Sequence, residues 1–303
     1  MIRIGLFLAT ACLLIPAAQA QSDGLQHVLE NTQKITDVDP ALWVLRDADT
    51  TIYLFGTVHV LRPGLGWFDD GVKTAFDASD TLVLEMLDPS ATESAAVMAD
   101  LSIDKSGRTI RQKLGADDLV AYEAAVAKLG LTHAALDPLD GWAVAVNLYY
   151  AGLLQKGYDL TSGVEVQLKA AASASKKPVV GLETMRFQLS IFDNLPENVQ
   201  IDYVTSTVSS IDEIAPQTDR LVDLWATADT DGVATVMNEG FEALKLTEVL
   251  LTRRNANWAA WINQRMVKPG TVFIAVGAGH LAGPASVQHL LTAYGLNTKQ
   301  VLY

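Results

Sequence analysis

Cysteine is all but missing from this chain. Of 303 residues only Cys12 is one, and it sits in the apolar stretch at the N-terminus. Disulfides therefore play no part in stability, and a packed core must supply it. Positive charge is also short: 22 lysines and arginines face 35 aspartates and glutamates, a formal net charge of −13. That balance argues against nucleic acid or an anionic lipid surface as a partner. Beyond Ala20 no run is apolar enough to span a membrane, which takes about 20 consecutive apolar residues. Prolines (10) and glycines (21) are scattered, with no Pro-, Gly- or Ser-rich linker to mark a domain boundary. Histidine occurs only five times, so a repeated histidine pattern carries weight.

What is present begins with a secretory signal over residues 1–20. Arg3 supplies the positive start, Ile4 to Ile15 the apolar run, and Ala18-Gln19-Ala20 a cleavage site of the A-x-A type. The mature protein is expected to start near Gln21 and to be periplasmic or secreted. Residues 21–40 read as a polar N-terminal arm and 41–303 as a single domain. Half of the residues are hydrophobic, which allows one large core.

Two stretches stand out within the domain. Thr51-Ile52-Tyr53-Leu54-Phe55 is an apolar, β-rich run that ends in Gly56-Thr57-Val58-His59. Val272 to Val276 is another, ending in Gly277-Ala278-Gly279-His280. In both, a predicted strand delivers a glycine and, three residues on, a histidine. Glycine allows either a positive φ or a close backbone approach at the strand end. Carboxyl ends of strands are where open α/β sheets bind ligands. Glu85 in Leu82–Leu87 and Glu183 at the end of Val179–Glu183 place carboxylates on strand-like runs, where they are seldom buried without a partner.

The remaining chain reads as mixed α/β, a central sheet with helices packed around it. A hairpin is predicted from Ala41–Arg46 and Thr51–Val58, and a helical insertion at about 90–160 separates the two halves. Helices are expected over 163–175, 184–192, 197–210 and 217–228. A long amphipathic helix from Glu242 to Met266 carries Arg254, Asn255, Trp258 and Trp261. Pro284 suits the first position of a helix running to Tyr294, and Lys299–Tyr303 reads as a last strand.

Read together, Leu42-Trp43, Phe55-Gly56-Thr57-Val58-His59, Leu84-Glu85, Gly163-Val164-Glu165, Gly181-Leu182-Glu183-Thr184 with Gln188, Arg254-Asn255 and Gly277–Gly283 resemble the TraB/PrgY/GumN family, to which the TIKI metalloproteases are related. The resemblance runs from about Leu42 to Tyr303. It implies a peptidase-like hydrolase related to the erythromycin-esterase fold, with His59, His280, Glu85 and Glu183 as active-site groups. Fold relatives include haem binders. The family often has aspartate where Glu165 stands, and on that ground Glu165 is left outside the expected site.

Imidazoles and carboxylates together bind a divalent metal or act as acid and base without one. The leading expectation is a metal-dependent hydrolase in which His59, His280, Glu85 and Glu183 hold the ion and a glutamate takes a proton from water. Manganese or cobalt follows from the resemblance, and the ligand types alone also suit zinc. Gly56 and Gly277 support the site, as do Asn255 and Arg254, the latter as an oxyanion or carboxylate partner. The expected substrate is a peptide or a small ester. Two rivals stand beside this reading. One is a metal-independent esterase with His59 as base. The other is a non-catalytic protein that binds a peptide or haem.

Overall fold

The computed structural model describes residues 35–243 and 246–303. The expected signal and nearly all of the polar arm lie outside the described residues. Eight strands form among those described: β1 (Thr36–Asp37), β2 (Leu42–Arg46), β3 (Thr50–Thr57), β4 (Leu65–Gly66), β5 (Thr81–Met86), β6 (Val179–Glu183), β7 (Gly270–Gly277) and β8 (Lys299–Val301). Six of them make one sheet in the order β6-β5-β7-β3-β2-β8. β3, β7, β5 and β6 run parallel, while β2 is antiparallel to both β3 and β8. β1 and β4 pair separately, a small sheet that the sequence patterns do not signal.

The parallel strands alternate sharply between two apolar layers. Val272, Ile274 and Val276 of β7, Ile52 and Leu54 of β3 and Val83 of β5 pack with Trp258, Ala259 and Ile262 on one face. Phe273, Ala275, Phe55, Leu82 and Leu84 point into the larger core on the other. Burial on both faces explains why these strands read as nearly continuous apolar runs.

Helices cover the sheet: α1 (Asp70–Asp77) between β3 and β5, then α2 (Ala91–Leu101), α3 (Ile110–Lys113), α4 (Ala116–Lys128), α5 (His133–Leu136) and α6 (Gly141–Gln155), which fill the expected insertion. α7 (Val164–Ala174) leads into β6. After β6 come α8 (Met185–Asp193), α9 (Glu197–Ser209), α10 (Ile214–Ala226), α11 (Thr230–Ala243), α12 (Arg253–Arg265) and, after β7, α13 (Val287–Leu291).

Three sequence readings need correction. The helix expected from Glu242 to Met266 is not continuous. Glu242 belongs to α11, and a π-helical turn, Glu248–Thr252, precedes α12. Apolar spacing at near-helical intervals continues across this junction, so periodicity alone cannot show the break. Pro284 lies in a turn instead of at the first helical position. α13 starts at Val287, where the Ser286 hydroxyl accepts from the His289 N–H. The final strand stops at Val301 rather than Tyr303.

Candidate functional site

Because β3, β5, β6 and β7 are parallel, their carboxyl ends emerge on one side of the sheet. The register places Thr57 beside Gly277 and Met86 beside Glu183. His59 follows β3, and His280 lies in a 3₁₀ turn, Ala278–Leu281, directly after β7. The two motif glycines serve close approach and neither has a positive φ. A Cβ on Gly56 would sit 3.1 Å from the Ala278 Cα, and one on Gly277 would sit 3.1 Å from Glu85 Oε1. A side chain on Gly56 would press on the Ala278 backbone, and one on Gly277 would press on the Glu85 carboxylate.

The centre of the cluster is Arg254, buried on α12. Its Nε donates to Glu183 Oε1 at 3.0 Å. Its Nη2 donates to Glu85 Oε2 at 2.6 Å and Glu183 Oε2 at 2.8 Å. Nη1 donates to the Leu250 carbonyl at 3.2 Å, within the π turn, and lies 3.1 Å from His280 Nε2. All five N–H groups of the guanidinium are thereby engaged. The oxyanion role considered for Arg254 has no free donor to perform it. The alternative role, orienting carboxylates, is the one the hydrogen bonds describe.

Glu183 receives further bonds from Trp258 Nε1 at 3.0 Å and Gln188 Nε2 at 2.9 Å. Both of its oxygens are covered, and the residue stands behind Arg254 instead of on the cleft wall. Glu85 faces the cleft, with Oε1 accepting the Gly277 N–H at 2.7 Å. Burial works against its charge, but Arg254 and the neighbouring imidazoles outweigh that and hold its pKa down at about 2.

The two histidines differ. His280 Nδ1 is 2.5 Å from Asn255 Oδ1, and Asn255 Nδ2 donates to the Ala285 carbonyl at 2.7 Å, which fixes the amide orientation. The proton of His280 therefore resides on Nδ1, and Nε2 accepts from Arg254. Burial first, then the Arg254 charge, push its pKa down to about 3. His280 is a neutral imidazole. His59 Nδ1 is 2.8 Å from Glu165 Oε1, and Thr57 Oγ1 donates to the same oxygen at 2.5 Å. Burial opposes a charge on His59, yet Glu165 and Glu85 more than offset it and raise the pKa above the ordinary imidazole value. The Glu165 pKa is correspondingly lowered: burial alone would raise it, and His59 and Thr57 overcome that.

Glu165, left out on sequence grounds, is thus a direct partner of His59. Its placement depends on Gly163. The Val164 N–H donates to the Val58 carbonyl at 3.0 Å, and a Cβ on Gly163 would lie 2.3 Å from the His59 carbonyl oxygen. The first turn of α7 is docked against the histidine loop and carries Glu165 with it. Trp258 was also missed as a site residue, since a tryptophan at helical spacing reads as core. It lies 4.3 Å from the His280 ring, between centroids, besides binding Glu183.

His59, Glu85, Arg254 and His280 line one cleft together with Thr57, Gln188 and Gly277. As a metal site the expected four-residue set does not fit this arrangement. Glu183 has no free oxygen, and the guanidinium lies between the two glutamates. Among the described residues, no three histidine, cysteine, aspartate or glutamate side chains form a metal-ligand group.

An open, largely parallel sheet with a polar cluster in a cleft at its strand ends defines an α/β protein whose cleft lies where open sheets of this kind commonly bind ligands. Sequence comparison narrows the class: residues 41–300 match the TraB/PrgY/gumN family, and the chain belongs to that family. Relatives include the uncharacterized protein YbaP of Escherichia coli (strain K12), 21% identical over 252 residues, covering 83% of this chain and 92% of YbaP. Another is an uncharacterized protein of Treponema pallidum (strain Nichols), 22% identical over 284 residues, covering 84% of this chain and 80% of that protein. No solved structure matches the chain significantly.

Proposed function

We propose that the protein is a hydrolase of ester or amide bonds, with His59 as the base that activates water. One observation carries this reading. Nδ1 of His59 is held by Glu165, which is itself held by Thr57, and Nε2 has no partner among the described residues, on a side chain that lines the cleft. A base oriented by a third group is the arrangement that general-base catalysis uses. Water attacks the carbonyl carbon as His59 Nε2 takes its proton. The carbonyl π pair moves to oxygen, and the imidazolium then returns the proton to the leaving oxygen or nitrogen as that bond breaks. Ala278 and Gly279 line the same cleft, and backbone N–H groups are the donor type that a developing oxyanion uses, whereas the Gly277 N–H is already given to Glu85. Arg254 is a positioning residue: it keeps Glu85 ionised and His280 neutral.

A divalent metal is the second reading, and the imidazoles favour it. Each directs Nδ1 to a side-chain oxygen, Glu165 or Asn255, which supports Nε2 as a lone-pair donor. His59, His280 and Glu85 form no ligand group as they stand, and Arg254 occupies both His280 Nε2 and Glu85 Oε2; only with Arg254 displaced would they hold an ion, which would supply Lewis acidity to the carbonyl or to water. Export belongs to the same proposal, and N-terminal sequencing of the mature protein checks it by finding Gln21 first.

The deciding measurement is hydrolysis of a peptide and ester panel by the wild type and His59→Gln, with and without chelator. The proposed base predicts a loss of about a hundredfold or more in His59→Gln and indifference to chelator. Chelator-sensitive turnover restored by manganese, cobalt or zinc would establish the metal reading instead. Full turnover in a folded His59→Gln protein would remove His59 from the chemistry.

A further inference from the structure

The polar cluster has acceptors to spare, while its side-chain donors are all in use. The N–H groups of Arg254 are engaged, the Thr57 hydroxyl is given to Glu165, and the Nδ1 proton of His280 to Asn255. Gln188 Nε2 donates to Glu85 Oε2 at 3.1 Å and to Glu183 Oε2 at 2.9 Å. Those two bonds fix the amide orientation, because the opposite one would set a carbonyl oxygen against two carboxylates. Gln188 Oε1 is therefore an acceptor, and it is buried with no partner among the described residues. Such a group is unfavourable until something donates to it. Glu85 Oε1 accepts one N–H, from Gly277, where a carboxylate oxygen has lone pairs for two. His280 Nε2, 3.6 Å from that oxygen, has no proton to offer it. Glu85 and Gln188 both line the cleft.

Charge and size narrow the missing donor. Among the described residues, Glu85, Glu165 and Glu183 are paired only with Arg254 and, when protonated, His59. The cluster carries an excess of negative charge, which attracts a cation and repels an anion. The room beside it is about 50 Å³, about four water-sized sites at ~10–15 Å³ each. That excludes a bulky group. A primary ammonium is compact and positive, with three N–H donors and no acceptor.

We infer that the cleft recognises a primary ammonium group, which donates to Glu85 Oε1 and Gln188 Oε1, in a substrate that carries it beside the carbonyl. A free α-amino acyl ester or amide is a compound of that class. The spacing follows from the backbone. The Ala278 and Gly279 N–H groups that serve the carbonyl oxygen come directly after Gly277, whose N–H holds Glu85. Neighbouring Cα atoms are ~3.8 Å apart, a span that one carbon between ammonium and carbonyl bridges. The word substrate rests on the hydrolase reading above, whereas the ammonium site stands on the acceptors and the charge alone.

The binding test uses ethylammonium, which has no bond to hydrolyse, against ethanol, its neutral equal in size. Each is titrated into the full chain by amide NMR, in about 0.15 M salt to screen the acidic surface and with chelator present. Three heavy atoms limit the affinity to about millimolar. Ethylammonium should bind at least about tenfold more tightly than ethanol, the scale of a charged hydrogen bond, with shifts confined to Gly277–His280, Gln188 and their neighbours. Glu85→Gln, which keeps shape but removes the charge, and Gln188→Met should each weaken it severalfold. Ethanol binding equally well, shifts scattered over the acidic surface, or undiminished affinity in either folded variant would each overturn the inference. The kinetic test compares glycine ethyl ester with ethyl acetate and N-acetylglycine ethyl ester, each rate divided by that ester's rate with hydroxide. The free amine should be preferred at least about tenfold in kcat/KM. If ethylammonium binds as expected but no ester or amide is cleaved, only the hydrolase reading fails. If esters are cleaved without preference for the free amine, only this inference fails.

Discussion

His59 is the residue whose protonation should be visible in kinetics. Its raised pKa, caused by Glu165 and Glu85 against the opposing effect of burial, means that the neutral, basic form appears only above the ordinary imidazole value of ~6.5. The acid limb of the rate–pH profile is expected to have its midpoint above that value. Removing the Glu165 charge with Glu165→Gln lowers the His59 pKa, so the midpoint should move down while the high-pH plateau falls at least about tenfold. A midpoint that stays put would detach Glu165 from the base. Arg254 supports a second prediction. It holds two buried carboxylates, and truncating one partner of a buried ionic network costs about 3–5 kcal/mol. Urea unfolding of Arg254→Met should show a loss of that order. Arg254→Lys should recover little of it, because an ammonium has three donors and cannot reproduce the planar fork.

At the scale of elements, the docking of α7 onto the His59 loop is the contact that completes the site. The Leu61 N–H donates to Ser162 Oγ at 3.0 Å, and Ser162 Oγ donates to the Leu61 carbonyl at 2.8 Å, so the loop is clamped one turn ahead of Glu165. Gly163→Ala would place a methyl 2.3 Å from the His59 carbonyl oxygen. The backbone there has to shift, at a cost of about 1–3 kcal/mol and with displacement of Glu165 from His59. Gly152→Ala provides the contrast. It lies inside α6, and its Cβ would first meet the Ile214 Cδ1 at 3.4 Å. There the better helix propensity of alanine should add about 0.5–1 kcal/mol. Thermal melts of the two variants should move in opposite directions. The π turn at Glu248–Thr252 is the other decisive element, since it presents the Leu250 carbonyl to Arg254.

For the molecule as a whole, these groups dictate how stability varies with pH. His280 is held neutral with its pKa at about 3. Between that value and ~6.5 the unfolded chain binds the proton that the folded one refuses, so stability falls as pH drops below ~6.5. Glu85, with its pKa at about 2, contributes stability that is complete above the ordinary glutamate value and lost as pH falls toward 2. His59 has the opposite sign. Its contribution is complete below ~6.5 and is lost as pH rises through its raised folded pKa. The urea midpoint should therefore decline steeply from pH 6.5 to 4 and more gently on the alkaline side. His280→Asn should flatten the acid decline, and an unchanged slope in that variant would mean that other groups govern it. No helix among the described residues is long and apolar enough to cross a membrane.

By itself the sequence determined what short-range spacing can encode. Apolar runs ending in glycine and then histidine specify strands that deliver imidazoles at their ends, and β3 and β7 do so. Glu85 and Glu183 on strand-like runs indicate carboxylates in need of partners, and Arg254 on a helix is a candidate for one. Which groups meet was decided only by tertiary structure. β7 inserts between β3 and β5, so residues 192 positions apart, Gly277 and Glu85, share a hydrogen bond. Thr57 and Glu165 meet across 108 positions, and Arg254 and Glu85 across 169. Parallel crossovers set these neighbours, and no local propensity reports them. The same holds for Arg254, whose five donors are exhausted by partners on β5, β6, the π turn and the His280 loop. Geometry of that kind converts an expected metal-ligand quartet into a buried guanidinium network beside one free imidazole.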